Sequence, residues 1–302
     1  MNLYTFESAS WRLQVAPEVG ASIAGLHARS GDGWRAVLRE TPQGAVEDRN
    51  PSKFASFVLA PFSNRIRDAC FTFQGREYRL RPTSPDGNTQ HGDVRGRPWT
   101  VAHADEQTLE CRLDTRDFPD FNYPFPFTAS VGYRLDGGDF ETRLSLTNTG
   151  DRAMPAGFGL HPYFNRHVPG SGELELGFAA AGFYETDDTF IPSEGMKPVP
   201  DALAFAPARA AGGQPLNHVY GGWDGRASLS WPGSGLVIAV VCDPVFSHLV
   251  VFTAPDGSLA VEPVTHATDG FNLLARGVTG TGVVVLEPGE TVMGTATLSV
   301  QG

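Results

Sequence analysis

Apolar and polar residues alternate along most of this chain with a period of two. Between Phe140 and Leu146, the residues Phe140, Thr142, Leu144 and Leu146 share one face, while Glu141, Arg143 and Ser145 share the other. Between Thr128 and Leu135, Ala129, Val131, Tyr133 and Leu135 face together. Such alternation predicts strands with one buried face and one wet face. Further strands are predicted at Trp11–Val15, Cys70–Phe73, Thr108–Leu113, Leu236–Cys242, His248–Thr253, Gly282–Leu286 and Val292–Val300. Asp-Gly pairs begin at Asp32, Asp86, Asp136, Asp224, Asp256 and Asp269. Between apolar runs this pair signals a tight hairpin, because both residues tolerate positive φ. No segment longer than about ten residues carries a 3.6-residue period. Residues 201–213 are rich in alanine, but Pro207 breaks a helix there. The pattern predicts an all-β chain: one large antiparallel β-sandwich over residues 1–302, without internal repeats.

Two segments fall outside the alternation. Residues 82–98 are dense in Pro, Gly, Asp and Asn, and residues 115–127 in Pro and aromatics. Both read as long loops, and long loops on a rigid sheet are where sites tend to lie.

Composition narrows the function classes. The chain has 302 residues, 41% of them apolar and 19% charged, so it can bury a large core and is not disordered. With 23 basic and 34 acidic side chains its formal charge is −11. That disfavours a nucleic-acid partner and an anionic membrane surface. Cys70, Cys111 and Cys242 are far apart and odd in number, which reads as reduced thiols in a reducing compartment. No signal peptide is evident at the start and no apolar run reaches 18 residues, so a cytoplasmic location is expected.

Four short segments look unlike ordinary sandwich sequence. In Pro61-Phe-Ser-Asn-Arg-Ile66, Asn64 and Arg65 lie between apolar stretches, and a guanidinium can hold several hydroxyls at once. In Thr89-Gln-His-Gly-Asp93, Gly92 lets a ligand approach the backbone beside His91. In Gly157-Phe-Gly-Leu-His-Pro-Tyr-Phe-Asn165, His161 sits among apolar and aromatic neighbours and suits a general acid. In Leu259-Ala-Val-Glu-Pro-Val-Thr265, Glu262 interrupts an apolar run before Pro263, so a strand end is expected there. A desolvated carboxylate is a base nearer neutrality. Each segment alone also reads blandly, as a surface ion pair, a solvated loop histidine, a core histidine or an edge glutamate. No HExxH, CxxC or close histidine pair signals a metal, no GxSxG a nucleophile, and no Gly-rich strand–helix loop a phosphate cradle.

In this order the four segments resemble the aldose 1-epimerase (galactose mutarotase) family, through Asn64-Arg65-Ile66, His91-Gly92, His161-Pro162-Tyr163-Phe164 and Glu262-Pro263, with Trp99 also fitting. The resemblance implies a galactose mutarotase-like supersandwich, an isomerase of hexose metabolism, and no cofactor or metal. It implies Glu262 as general base and His161 as general acid. It places His91 at the reacting end of a sugar, Arg65 with Asn64 on sugar hydroxyls, and Phe252 as an apolar wall. One position departs from the pattern. Where the family usually has a sugar-binding Asp, Leu216-Asn217-His218-Val219-Tyr220 carries Asn217, and Asp224 nearby reads as a hairpin turn rather than a replacement.

The expected function is therefore interconversion of the α and β anomers of a free, neutral hexose, by a monomer or homodimer. Two rivals stand beside it. A hexose-6-phosphate 1-epimerase needs a cationic pocket, for which Arg65, Arg67, Arg95 and Arg97 are candidates. A non-catalytic carbohydrate-binding module needs aromatic platforms but no buried acid–base pair. A glycosidase asks for two converging carboxylates, and only Glu262 has a motif around it.

Overall fold

The computed structural model describes residues 3–31, 33–212 and 215–301. Asp32, one of the six turn signals, and Gly213, the end of the alanine-rich stretch, lie outside the described residues. About 49% of the chain is strand and 9% helix. The α-helices among the described residues, Gln43–Glu47 and Gly270–Ala275, are each little more than one turn. Among the described residues no helix is long and apolar enough to cross a membrane.

The main sheet is antiparallel throughout. In spatial order it runs through Thr100–Ala104, Thr108–Asp114, Phe127–Asp136, Asp139–Asn148, Thr291–Gln301, Leu236–Cys242, Asn217–Trp231, His248–Thr253, Leu259–Val264, Gly159–Leu160 and Val58–Leu59. Asp136 pairs with Asp139, so Gly137-Gly138 is the two-residue hairpin that the Asp-Gly signal predicts. Asp256-Gly257 likewise lies in the turn joining His248–Thr253 to Leu259–Val264.

A four-stranded sheet, Tyr4–Glu7, Trp11–Ala16, Ser22–Ser30 and Gly33–Ala36, covers one face of the main sheet. Its Trp11 indole donates to the Gly138 carbonyl at 2.8 Å and stands 6.1 Å from the Phe140 ring. The inward positions of both sheets, among them Leu13, Leu26, Val131, Phe140 and Leu144, form one apolar core.

Several sequence expectations need correction. Asp269-Gly270 opens the helix Gly270–Ala275, and Asp86-Gly87 lies between Arg76–Arg79 and Thr89–Gln90, which do not pair. Asp224 is not in a hairpin but inside the 15-residue strand Asn217–Trp231. There Gly225 takes φ of 79° and the strand changes neighbours, from His248–Thr253 before it to Leu236–Cys242 after it. The Asp-Gly pair makes a bend within a strand because Asp224 Oδ1 accepts from the Arg226 amide, an Asx-type contact at 3.0 Å. Glu262 is not at a strand end either. The strand Leu259–Val264 continues through Pro263, and all six of its residues are buried. A strand covered on both faces shows no alternation, which is why the run looked interrupted rather than continuous.

Candidate active site

Three neighbouring strands supply one wall of a cleft. Asn217 pairs with Phe252, and Val250 with Glu262. Cross-strand partners share a face, and residues two apart on a strand share a face. So Asn217, Phe252, Val250 and Glu262 project together, while Val251 and Val261 point into the core on the other side.

The opposing group comes from the segment Gly159–Phe164. Gly159 pairs with Val264, and Tyr163 with Ala260. That register sets His161 opposite Glu262. The His161 amide donates to the Phe57 carbonyl at 3.0 Å, which fixes its backbone. His161 Nε2 lies 3.2 Å from Glu262 Oε1, and the residues are only 4% and 2% exposed. Their remaining atoms, His161 Nδ1 and Glu262 Oε2, are buried without a protein partner. Buried polar atoms are rarely left so.

His91 enters from the loop 82–98. Its amide donates to the Asn64 carbonyl at 2.8 Å, and its Nδ1 accepts from the Asn64 amide at 3.1 Å. An acceptor Nδ1 puts the proton of a neutral ring on Nε2, so His91 offers a donor. Gly92 is obligatory here: its φ is 67°, and a Cβ would lie 1.8 Å from the Ala60 carbonyl oxygen. Arg65 pairs with Gln90 across the short ladder Arg65–Ile66 with Thr89–Gln90. Its guanidinium reaches Asp86 at 3.4 Å and Asn64 Oδ1 at 3.2 Å.

The seven site residues expected from the sequence, Glu262, His161, His91, Arg65, Asn64, Asn217 and Phe252, thus line one cleft of about 280 Å³. Arg95 lines it as well. Arg67 and Arg97 do not: Arg67 pairs with Asp187 at 2.6 Å, and Arg97 is held by Asp93 and Asp120. Sequence reading missed Phe57, Ser52 and Gln90. Phe57 stacks on the His161 ring at 4.6 Å but sits in an apolar run that gives no hint of a site. Gln90, directly before His91, was the one with a signal. A wider groove of about 500 Å³ crosses the sheet face at Thr100, Arg112, Asp114, Thr128, Ser130 and Ser145. It holds no histidine, and Asp114 is tied up by Arg116.

Burial sets the electrostatics. Desolvation pushes Glu262 well above the usual carboxylate range, against a smaller opposing effect of Arg65. Desolvation, then the Arg95 and Arg39 charges, hold His161 well below the ordinary histidine value. His91 is lowered by burial, Arg95, His161 and Arg65 in that order. These shifts favour a neutral glutamic acid against a neutral imidazole. The ion pair is one proton shift away along a 3.2 Å contact. Such an arrangement can take a proton from one oxygen and give one to another on a bound molecule.

The aldose 1-epimerase family model matches residues 3–299. Over 318 aligned residues the chain is 27% identical to the uncharacterized protein YphB of Escherichia coli K12, spanning 100% of this chain and 99% of that one. It is 31% identical to the galactose mutarotase of Sus scrofa over 151 residues, 47% of this chain and 42% of the pig protein. Among solved structures, a putative aldose 1-epimerase from E. coli K12 superposes with a TM-score of 0.85 at 24% identity, covering 99% of both chains. The GalM/aldose epimerase homologue of C. elegans gives 0.83 at 17% identity, over 99% and 98%. With a match that runs almost end to end, this chain belongs to the aldose 1-epimerase family.

Proposed function

We propose that this protein interconverts the α and β anomers of an aldohexose with a free C1 hydroxyl, with Glu262 as base and His161 as acid. A pyranose is a cyclic hemiacetal. Glu262 takes the proton of the C1 hydroxyl while His161 gives one to the ring oxygen, and the C1–O5 bond breaks to leave an open-chain aldehyde. Rotation about C1–C2 turns the other carbonyl face to the C5 hydroxyl. On closure the C5 hydroxyl returns its proton to His161, and Glu262 protonates the carbonyl oxygen. The pair ends as it began, and no electron pair leaves the sugar. His91 Nε2–H stabilises negative charge on the oxygen that loses or regains the proton. Asn64, Arg65 and Asn217 bind hydroxyls, and Phe252 packs on an apolar ring face.

The observation that carries this reading is the buried His161–Glu262 contact at 3.2 Å, with an unpartnered polar atom on each residue. A binding module has no use for a desolvated acid–base pair, which costs stability. A glycosidase needs a second carboxylate, and among the described residues Glu262 is the one carboxylate lining the cleft.

Magnetisation transfer between the α and β C1 protons in NMR tests the proposal on equilibrated glucose and galactose. Catalytic amounts of protein should speed exchange between the two signals in at least one sugar. Exchange no faster than in buffer, with sugar bound, would instead favour the binding module.

A further inference from the structure

The cleft carries a charge that the epimerase reading does not use. Its charged lining residues are Arg65, Arg95 and Glu262. Glu262 faces His161 at 3.2 Å, and Arg65 is engaged by Asp86 and Asn64. Arg95 is different. Its Nη1 donates to Ser52 Oγ at 3.3 Å, and its guanidinium carbon lies 5.4 Å from the centre of the Phe57 ring. Among the described residues it forms no ion pair.

The nearest acid in sequence cannot serve it. Asp93 Oδ2 already accepts from Arg97 Nε at 3.1 Å, from Arg97 Nη2 at 2.6 Å and from the Asn122 amide at 3.0 Å. The two arginines of this one loop are thus divided. Arg97 braces the loop from outside the cleft, stacked near Phe118 and Phe121. Arg95 turns into the cleft beside Ser52, with most of its five donors uncommitted.

We infer that Arg95 and Ser52 form an anion subsite of this cleft, so that the aldose it accepts carries an acid group, a carboxylate or a phosphate ester. This rests on the epimerase reading, which requires C1 to bear a free hydroxyl, so the acid group sits elsewhere on the sugar. A charge-assisted contact is roughly twice as strong as a neutral one, and a guanidinium supplies it bidentately. The subsite also bears on the chemistry. After burial, the Arg95 charge is the largest influence holding a proton off His161. An anion set against Arg95 cancels part of that field and eases protonation of the acid as substrate binds. The net charge of −11 suggests a neutral ligand, but it acts at long range. Beyond about 8–10 Å it is screened by salt, whereas a guanidinium inside the cleft is not.

The test is kcat/KM for anomer exchange with glucose, glucuronate and glucose 6-phosphate. It uses wild type, Arg95→Met, Arg95→Gln and, as the comparison from the same loop, Arg97→Met, each checked for folding by its thermal transition. Wild type should prefer at least one acidic sugar over glucose by more than about tenfold, the size of one charge-assisted contact. The two acidic sugars separate carboxylate from phosphate. Both Arg95 variants should lose the preference, Arg97→Met should keep it, and the acidic sugar should shift the acid limb of the pH profile upward. Glucose turned over as well as either acidic sugar, or a preference that survives both Arg95 variants, overturns the subsite and leaves the epimerase reading standing. Exchange in none of the three sugars overturns both.

Discussion

His161, in the break between the strands Gly159–Leu160 and Tyr163–Phe164, stands 3.2 Å from Glu262, set there by the register that pairs Gly159 with Val264 and Tyr163 with Ala260. The contact is set by the ladders on either side of His161 rather than by a long loop. It also makes the two residues one titrating unit.

Because they act as a unit, their removal should not be additive. His161→Asn should lower the rate by about 10²–10⁴, the usual contribution of a general acid, and leave sugar affinity within about tenfold. Adding Glu262→Gln should cost much less than the product of the two single losses. Multiplicative losses would mean independent roles.

The productive state holds a single proton between the two groups. Burial lowers His161, so uptake of a second proton falls below the ordinary histidine range and sets the acid limb. Burial raises Glu262, so loss of the shared proton falls above the ordinary carboxylate range and sets the alkaline limb. The profile of kcat/KM between about pH 4 and pH 9 should be a bell with two limbs. A single sigmoid over that span contradicts the shared proton.

Two further buried histidines make the fold acid-sensitive. His266 accepts from the Ser63 amide at 3.1 Å, which needs it neutral, and the buried His248 Nε2 meets the Tyr184 hydroxyl at 3.2 Å. Each is lowered to about 4, first by burial. A depressed value means that unfolding takes up protons. The stability is whole above the unfolded value near 6.5 and is lost as pH falls toward 4, roughly 2 kcal/mol per residue by pH 5. Denaturant titrations at pH 7 and pH 5 should show this drop, and His266→Asn should reduce its slope whatever it does to stability at pH 7. A slope unchanged by the substitution assigns the effect elsewhere.

Asn217 opens its strand opposite Phe252 and lines the cleft. Asn217→Asp puts a charge-assisted acceptor where a neutral amide stands. Relative kcat/KM among aldoses that differ at one hydroxyl should then shift. An equal change for every sugar would place Asn217 outside hydroxyl recognition.

Much of this was legible in the sequence, for a physical reason. The half-exposed hairpin Phe127–Asp136 with Asp139–Asn148 alternates cleanly because one face is wet. Strands without that contrast were hidden. Glu175–Tyr184 reads ELGFAAAGFY, with small residues on both faces, and Asn217–Trp231 contains Gly221, Gly222 and Gly225, which imitate turns. The site residues could be named because His and Glu are out of place in apolar runs. Their register, the stacking of Phe57 under His161, and the division of labour between Arg95 and Arg97 were not legible. These depend on which segments pair across more than one hundred residues of chain, as Gly159 does with Val264.

The most direct measurement is polarimetry on freshly dissolved α-glucose and α-galactose, with wild type and Glu262→Gln at equal concentration. The account predicts that wild type hastens the approach to equilibrium rotation for at least one of them, in proportion to protein added. It predicts that Glu262→Gln, folded and still binding sugar, leaves the rate at that of buffer. A variant as fast as wild type, or a wild type no faster than buffer on any aldose, neutral or acidic, contradicts it.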